Sequence, residues 1–230
     1  MVTTPKQMLS IPPLENGDRL SRAEFERRYQ AMPQVKIAEL VEGVVYMTSP
    51  LRLRSHGEPH GDLITWLGTY KAFTPGAVLG DNPTVRLDPD NEPQPDAVLF
   101  VPGRQATISS DDYIEGAPEW VAEVAASSVA IDLHDKKRAY CRNSVQEYMV
   151  WRTLEGQLDW FVMQVDEYVA LTPDAQGIVR SQVFPGLWLA VPALLAGDLP
   201  KVLSVLQAGL NSIEHQDFVQ QLVAERDNRE

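Results

Sequence analysis

Two isolated carboxylates stand beside strand-like segments of the sequence. Asp96 directly precedes the apolar run in "PQPDAVLF", and Glu123 lies within the small and apolar residues of "EWVAEVAAS". A buried lone carboxylate is unfavourable unless it is paired, hydrogen-bonded or bound to a metal ion. If the two acids meet from neighbouring strands, a divalent cation would relieve their mutual repulsion. In the alternative interpretation, Asp96 caps a turn after Pro95 and Glu123 points to water on an exposed face.

A lysine follows the second carboxylate in a helical pattern. The segment "DLHDKKRAY" places Asp132, Lys136 and Tyr140 four residues apart, on one face of a predicted helix. A lysine close to a metal site can position the attacking water or stabilise charge that develops on a phosphate. The alternative is an ordinary i, i+4 ion pair between Lys136 and Asp132, which is the simpler interpretation of this segment taken alone.

The elements that position these residues alternate between helix and strand patterns. Helices are predicted for "SRAEFERRYQAM", which Ser21 and Glu24 would cap, and for "HGDLITWLGTYKAF". "IAELVEGVVYM" predicts two strands joined by a tight turn at Glu42-Gly43. Further strands are predicted at 84–88, 96–100, 118–126, 147–153, 158–164, 167–173 and 183–189, with loops at 48–59 and 103–117. A loop and then a helix are predicted over 127–143, and this order indicates an α/β or α+β fold with a mixed sheet.

The length of 230 residues fits one domain with a C-terminal appendage. We divide the chain into a Pro-rich N-terminal arm (1–18), a main domain (19–191) and an amphipathic helical extension (192–230). The single cysteine, Cys141, cannot form an internal disulfide, which favours a reducing, cytoplasmic location. The N-terminus lacks a basic stretch followed by an apolar run, and no apolar run approaches about 18 residues, so we expect neither a signal peptide nor a membrane span.

The formal net charge of −12 counts against a nucleic-acid partner, because proteins that hold nucleic acid usually present a basic face. Basic residues do gather at "LRLRSH" and at "HDKKRAYCR". These clusters would serve a nucleic acid if they lay on one side of the fold, and the alternative is that both are solvated surface. The tryptophans fall in apolar patterns, so we expect core packing rather than base stacking for Trp66, Trp120, Trp151, Trp160 and Trp188.

Six segments of the chain, taken in order, resemble the Uma-two family of endonucleases. They are "ELVEGVVYMTSP", "HGDLITWL", "PQPDAVLF", "EWVAEVAASS", "DLHDKKRAY" and "SVQEYMVW". That family belongs to the PD-(D/E)xK restriction-endonuclease-like superfamily and is common in cyanobacteria. The resemblance covers roughly residues 20 to 190 and leaves the helical tail outside. It implies a restriction-endonuclease-like fold over 19–191, in which helices flank a central mixed β-sheet.

The resemblance assigns roles to the acids and to one lysine. Asp96 becomes the aspartate of the "PD" element, and Glu123 becomes the acid of the (D/E)xK element. The strict motif is broken, because Ala125 stands where its lysine is expected. The family pattern places a lysine in the following helix instead, where Lys136 matches and Lys137 is the competing assignment.

The same pattern supplies candidates from the first half of the chain. A further acid comes from the "ELVEG" segment, either Glu39, which we prefer, or Glu42, which the predicted turn also explains. His60 matches a family histidine that could donate to a phosphate or orient a carboxylate, and the alternative is local hydrogen bonding at a helix N-terminus. We interpret His56 as a loop residue and His134 as a surface residue of the helix.

The implied function is metal-dependent hydrolysis of nucleic-acid phosphodiester bonds, with DNA as the expected substrate and a homodimer as one possible assembly. Asp96, Glu123 and the Val124 backbone carbonyl would hold the metal. Oxygen ligands suit Mg²⁺ or Mn²⁺ better than zinc, and we expect no cluster of cysteine and histidine. Two alternatives stay open: a catalytically degenerate scaffold or interaction protein, which the acidic charge favours, and a hydrolase of RNA or a small phosphoester.

Overall fold

The computed structural model describes residues 11–47 and 51–227. The predicted N-terminal arm falls mostly outside these residues, as do residues 48–50 of the predicted loop and the end of the helical tail. Within the described chain, no helix is both long enough and apolar enough to cross a membrane.

Helices and short strands alternate along the described chain. The helices are α1 (Arg22–Gln30), α2 (Glu58–Ala72), α3 (Lys137–Arg142), α4 (Val191–Leu195), α5 (Leu199–Leu210) and α6 (Ile213–Asp227). Two π-helical turns, Leu53–Gly57 and Ile131–Lys136, lead directly into α2 and α3. The strands are β1 (Ala38–Val41), β2 (Val44–Met47), β3 (Val78–Asp81), β4 (Val85–Arg86), β5 (Ala97–Phe100), β6 (Ala106–Ile108), β7 (Ile114–Gly116), β8 (Trp120–Ala125), β9 (Glu147–Arg152), β10 (Gln157–Gln164), β11 (Glu167–Ala170), β12 (Ile178–Arg180) and β13 (Trp188–Ala190).

A six-stranded sheet forms the centre of the fold, in the order β11-β10-β9-β8-β5-β3. Strands β8 and β9 are parallel, and the remaining neighbours in this sheet are antiparallel. The crossover between the two parallel strands contains the second π-helical turn and α3, as a parallel connection requires. The predicted mixed sheet with flanking helices is therefore confirmed.

Side chains of the central strands alternate between two cores, because successive residues of a strand point to opposite faces. On β8, Ala122 and Val124 pack in the core beneath α2, whereas Val121 and Ala125 pack against α3. Glu123 therefore points toward the α3 face, among buried aromatic side chains rather than into water. Strand β9, within the strand predicted at 147–153, alternates in the same way: Met149 and Trp151 lie in one core, and Tyr148 and Val150 lie in the other.

The core beneath α2 contains three tryptophans in edge-to-face contact. The ring centroids of Trp66, Trp120 and Trp160 lie 5.8 to 6.0 Å apart. Helices of the C-terminal extension contribute to this same core through side chains such as Leu206 and Phe218. The central strands, including β5 and β8, are thus packed against this apolar core on the side of α2.

Three local predictions are wrong. The segment 103–117 is not a plain loop, because β6 and β7 form a small sheet with β4. Gly116 makes this possible: it adopts φ +91°, and a Cβ there would lie 2.5 Å from the Gln105 carbonyl oxygen. The capping box at α1 is missing from the described chain: the Ser21 side chain caps no amide, and Glu24 instead binds Arg27 and Arg28. The strand predicted at 183–189 forms only as β13.

Candidate active site

Asp96 is held at the start of β5 by a main-chain contact from β8. The Val124 amide donates a hydrogen bond of 2.6 Å to Asp96 Oδ2, across the antiparallel register that pairs Ala97 with Ala122. Glu123 is the neighbour of Val124, so the sheet places the two acids predicted from sequence in one short stretch of the β5–β8 pair. Both side chains are buried.

Two histidines face the other oxygen of Asp96. His56 Nε2 lies 3.1 Å and His60 Nδ1 lies 3.4 Å from Asp96 Oδ1. His60 belongs to the first turn of α2, and His56 belongs to the π-helical turn before it, so the predicted loop over 48–59 is wrong at this point. The two histidines come together beside Asp96, a grouping that the expectation of no cysteine and histidine cluster did not foresee. The spacing of four residues between His56 and His60 was the signal, since such residues share one helical face.

Lys136 lies at the centre of a second cluster, on the α3 side of the sheet. Its Nζ atom is 2.8 Å from Glu39 Oε1, 3.1 Å from Glu123 Oε1 and 3.8 Å from Asp132 Oδ1. All four side chains are buried. The structure thus brings Lys136 and Glu39 together with Glu123, and the i, i+4 contact to Asp132 is one part of this larger cluster.

Hydroxyl groups fix the acids of this second cluster. The Tyr140 hydroxyl donates to Glu123 Oε1 over 2.9 Å, and the Ser128 hydroxyl donates to Asp132 Oδ2 over 2.5 Å. The Tyr148 hydroxyl donates to the main-chain carbonyl of Asp132. These bonds limit the rotation of both carboxylates, so the acids stay close to Lys136.

The two clusters shift pKa values in opposite directions. Burial favours the neutral form of Asp96, but hydrogen bonds from His56 and His60 outweigh this effect and hold its pKa below the usual range. The same contact raises the pKa of His60. Burial raises the pKa of Glu123 well above its ordinary value, although the Lys136 charge opposes that shift.

Lys136 stays protonated in this environment. Burial by itself lowers the pKa of the ammonium, but the surrounding carboxylates, of which Glu123 contributes most, raise it well above the ordinary value. Asp132 is affected less than Glu123, and burial raises its pKa to about 6. The protein thus holds one permanent positive charge inside a ring of acids at the end of the sheet.

The competing candidates lie elsewhere. Glu42 occupies the β1–β2 turn with φ 52° and forms an ion pair with Arg142. Lys137 Nζ lies over the Phe161 ring, 3.4 Å from its centroid, and His134 is exposed. The structure therefore separates Glu42 and Lys137 from the buried cluster.

The basic residues noted in the sequence are largely paired with acids of the same chain. Arg54 binds Glu58 over 2.9 Å. Arg142 contacts Glu42 and Asp88 at 2.8 and 3.2 Å. These pairs leave the two basic clusters with less free positive charge than the sequence alone indicates.

The donor atoms near Asp96 limit which ions the site suits. Among the described residues, the acidic and histidine side chains whose ligand atoms converge within 4.8 Å are those of His56, His60 and Asp96. Glu123 directs Oε1 toward Lys136 and Tyr140. The ligand atoms that converge at Asp96 thus include two imidazole nitrogens, whereas Mg²⁺ prefers a set made only of oxygens.

This fold is that of a restriction-endonuclease-like domain. The family described as "Uma2: Putative restriction endonuclease" matches residues 22–192, which is most of the chain. The protein therefore belongs to the Uma2 family, as the six sequence segments indicated. The helices α5 and α6 lie beyond the matched residues.

A solved structure supports the fold. The chain is similar to a crystal structure from Anabaena variabilis ATCC 29413, described as "a putative nuclease belonging to DUF820", with a TM-score of 0.52. The two share 14% sequence identity, and the match covers 78% of this chain and 97% of that chain. At this identity the likeness shows a common fold. Among curated proteins, none matches the chain.

Proposed function

We propose that this protein is a metal-dependent endonuclease that hydrolyses phosphodiester bonds of nucleic acid, with Mg²⁺ or Mn²⁺ as cofactor. The observation that carries the proposal is the buried Lys136, which lies within 3.1 Å of Glu123 on the strand that also fixes Asp96. A lysine and two acids at the end of a mixed sheet, in a chain of the Uma2 family, are the parts that this reaction needs. The lysine comes from the helix after β8 and not from β8 itself.

Asp96, Glu123 and the Val124 carbonyl would hold the cation in this proposal. A divalent ion at that position supplies Lewis-acid polarisation of the phosphate and a lower pKa for a bound water. The protein contributes the fixed positions of the ligands: the Val124 amide restrains Asp96, and Tyr140 restrains Glu123. Such restraint reduces the reorganisation that the site must undergo during reaction.

Lys136 acts on the attacking water and on the phosphate. Its ammonium orients the water and offsets negative charge that accumulates on the phosphate in the transition state. Glu39 and Asp132 keep the ammonium in place and keep it protonated. His60, next to Asp96, either donates a hydrogen bond to a phosphate oxygen or orients Asp96.

DNA is the proposed substrate, and the charge of the chain sets a condition on this choice. With a net charge of −12 and internally paired arginines, binding must come from a few groups near the site rather than from a broad basic face. The same observation favours a second candidate, a degenerate member that keeps the fold as an interaction scaffold. A cytoplasmic location and a homodimer remain predictions.

A plasmid-nicking assay tests the proposal. We expect nicking with Mg²⁺ or Mn²⁺ and its loss in Asp96→Asn and in Lys136→Gln. Glu119→Gln is a matched control: Glu119 stands at the other end of the β5–β8 pair, is equally buried, and accepts a hydrogen bond from the Val101 amide. It should keep full nicking activity. Absence of cleavage in the wild type with either ion, or cleavage that survives Asp96→Asn, would refute the proposed site and favour the scaffold.

A further inference from the structure

The proposed nuclease site uses Asp96 and His60 but gives no role to His56, and it does not use the two histidines as metal ligands. His56 Nε2 and His60 Nδ1 both face Asp96 Oδ1, and the three ligand atoms lie within 4.8 Å of one another. Their side chains are only 11 to 13% exposed. Atoms that bind one ion at about 2.0–2.2 Å must lie this close together. The arrangement is thus compact enough to surround a single cation.

The local chain fold brings the two imidazoles together. His56 is in the π-helical turn and His60 in the first turn of α2, so the spacing of four residues puts both on the same side of one continuous helical segment. Short π-helical segments inside α-helices occur frequently at functional sites. Asp96 reaches this pair from the neighbouring sheet with its other oxygen already held by Val124.

A carboxylate behind His60 orients its ring. Asp81 Oδ1 lies 2.8 Å from His60 Nε2, on the opposite side of the ring from the nitrogen that faces Asp96. When Nε2 carries the proton for this hydrogen bond and Nδ1 gives up the proton that it donates to Asp96 in the metal-free protein, the lone pair of Nδ1 is free to bind a metal. Metal-binding histidines almost always have such a partner, which fixes the tautomer and raises the basicity of the ligand.

We propose that His56, His60 and Asp96 form a binding site for a divalent transition-metal ion such as Mn²⁺, Co²⁺, Ni²⁺ or Zn²⁺. Two imidazole nitrogens and one carboxylate oxygen suit these ions, whereas Mg²⁺ prefers a set made only of oxygens. The inference goes beyond the proposed function, because it places an ion on a different set of ligands that shares only Asp96 with the set proposed there. It does not depend on Lys136 or Glu123.

Metal binding to the full-length protein, stripped with a chelator, tests this site without any nuclease assay. We expect Co²⁺ to produce visible absorption bands and a rise in melting temperature that both require His56 and His60, whereas any rise that Mg²⁺ produces through Asp96 and Glu123 should persist without the histidines. His56→Gln and His60→Gln should abolish the Co²⁺ bands. His134→Gln, the same change at an exposed histidine, should leave the bands as in the wild type.

A substitution at an exposed residue tests the metal site with little effect on folding. Asp81 is 57% exposed, and we expect Asp81→Asn to fold normally and to weaken Co²⁺ binding by about 10- to 100-fold, the usual effect of losing a partner of a metal-binding histidine. Unchanged Co²⁺ affinity in His56→Gln and Asp81→Asn would overturn the proposal. So would loss of Co²⁺ binding in Glu123→Gln with retention in His56→Gln, since the ion would then lie on the carboxylate side.

The two proposals can fail separately. Histidine-dependent Co²⁺ binding in a protein that nicks no DNA with any ion supports this site and refutes the proposed function. Nicking with Mg²⁺ that requires Asp96 and Lys136, in a protein without histidine-dependent Co²⁺ binding, refutes this site and supports the proposed function.

Discussion

Replacing Lys136 with methionine should destabilise the fold severely. Methionine fills a similar volume but leaves Glu39, Glu123 and Asp132 without the ammonium that now lies 2.8 to 3.8 Å from them. At an effective dielectric constant of about 20, each of these attractions is worth about 4–6 kcal/mol before the cost of burying the charges is subtracted. Removing one partner of a buried ion pair costs about 3–5 kcal/mol in practice, and we expect a loss in that range for Lys136→Met.

Urea unfolding at pH 7, followed by far-UV circular dichroism, measures this loss. Lys137→Met is the matched control, because it removes the same charge one residue later, where the ammonium lies over Phe161 and such a contact contributes about 0.5–1 kcal/mol. If Lys136→Met fails to fold, the double variant Lys136→Met with Glu123→Gln should recover folding, since fewer uncompensated charges remain. A stability loss in Lys136→Met no larger than that in Lys137→Met would refute the reasoning.

Three further predictions concern the rest of the molecule. Leu206→Ala, in the helical extension, should lower the free energy of unfolding in urea by about 2–5 kcal/mol, because Leu206 is fully buried in the central core. A negligible loss would instead show that the extension is a separable unit. Burial raises the pKa of Glu147 from 4.5 to about 7, so its contribution to stability is complete below pH 4.5 and lost as the pH rises through 7. The stability difference between wild type and Glu147→Gln should therefore shrink by about 3 kcal/mol from pH 4.5 to pH 8, and a constant difference would contradict the shift. Arg104→Met should speed hydrogen exchange of the main-chain amides near the end of α6, because Arg104 binds Glu225 over 2.7 Å. An unchanged exchange rate would show that apolar packing alone holds this helix.

The elements that carry the candidate site were largely predictable from the sequence. The helical spacing of apolar residues predicts helix α2. Apolar runs bounded by proline predict strands β5 and β8, and the Glu42-Gly43 turn predicts the β1–β2 hairpin. The preference for Glu39 over Glu42 as a functional residue stays a prediction, although the two side chains occupy different environments. Glu39 lies on a buried strand and reaches Lys136, whereas Glu42 occupies the turn.

Sequence patterns did not predict contacts between residues that are far apart in the chain. Sequence spacing relates His56 to His60, but nothing in it indicates that Asp96, 36 residues away from His60, lies against both rings. The partners of Glu123 were also unexpected, since the two-acid hypothesis directs this carboxylate toward Asp96, and the structure directs Oε1 toward Lys136 and Tyr140. Such contacts depend on strand order and on the crossover through α3, which local propensity does not specify.

Glu119 shows which contacts of Asp96 are specific to the candidate site. Both acids flank the β5–β8 pair, both are buried, and both accept a hydrogen bond from a main-chain amide of the opposite strand. Burial raises the pKa of Glu119, whereas hydrogen bonds from His56 and His60 hold the pKa of Asp96 low despite similar burial. The amide contact is therefore common to both ends of the strand pair, and the contacts with His56 and His60 distinguish Asp96 from Glu119. In the proposed metal site these imidazoles would give up the protons that they donate to Asp96 and act as ligands beside it, and among the described residues no comparable group of ligand atoms lies at Glu119.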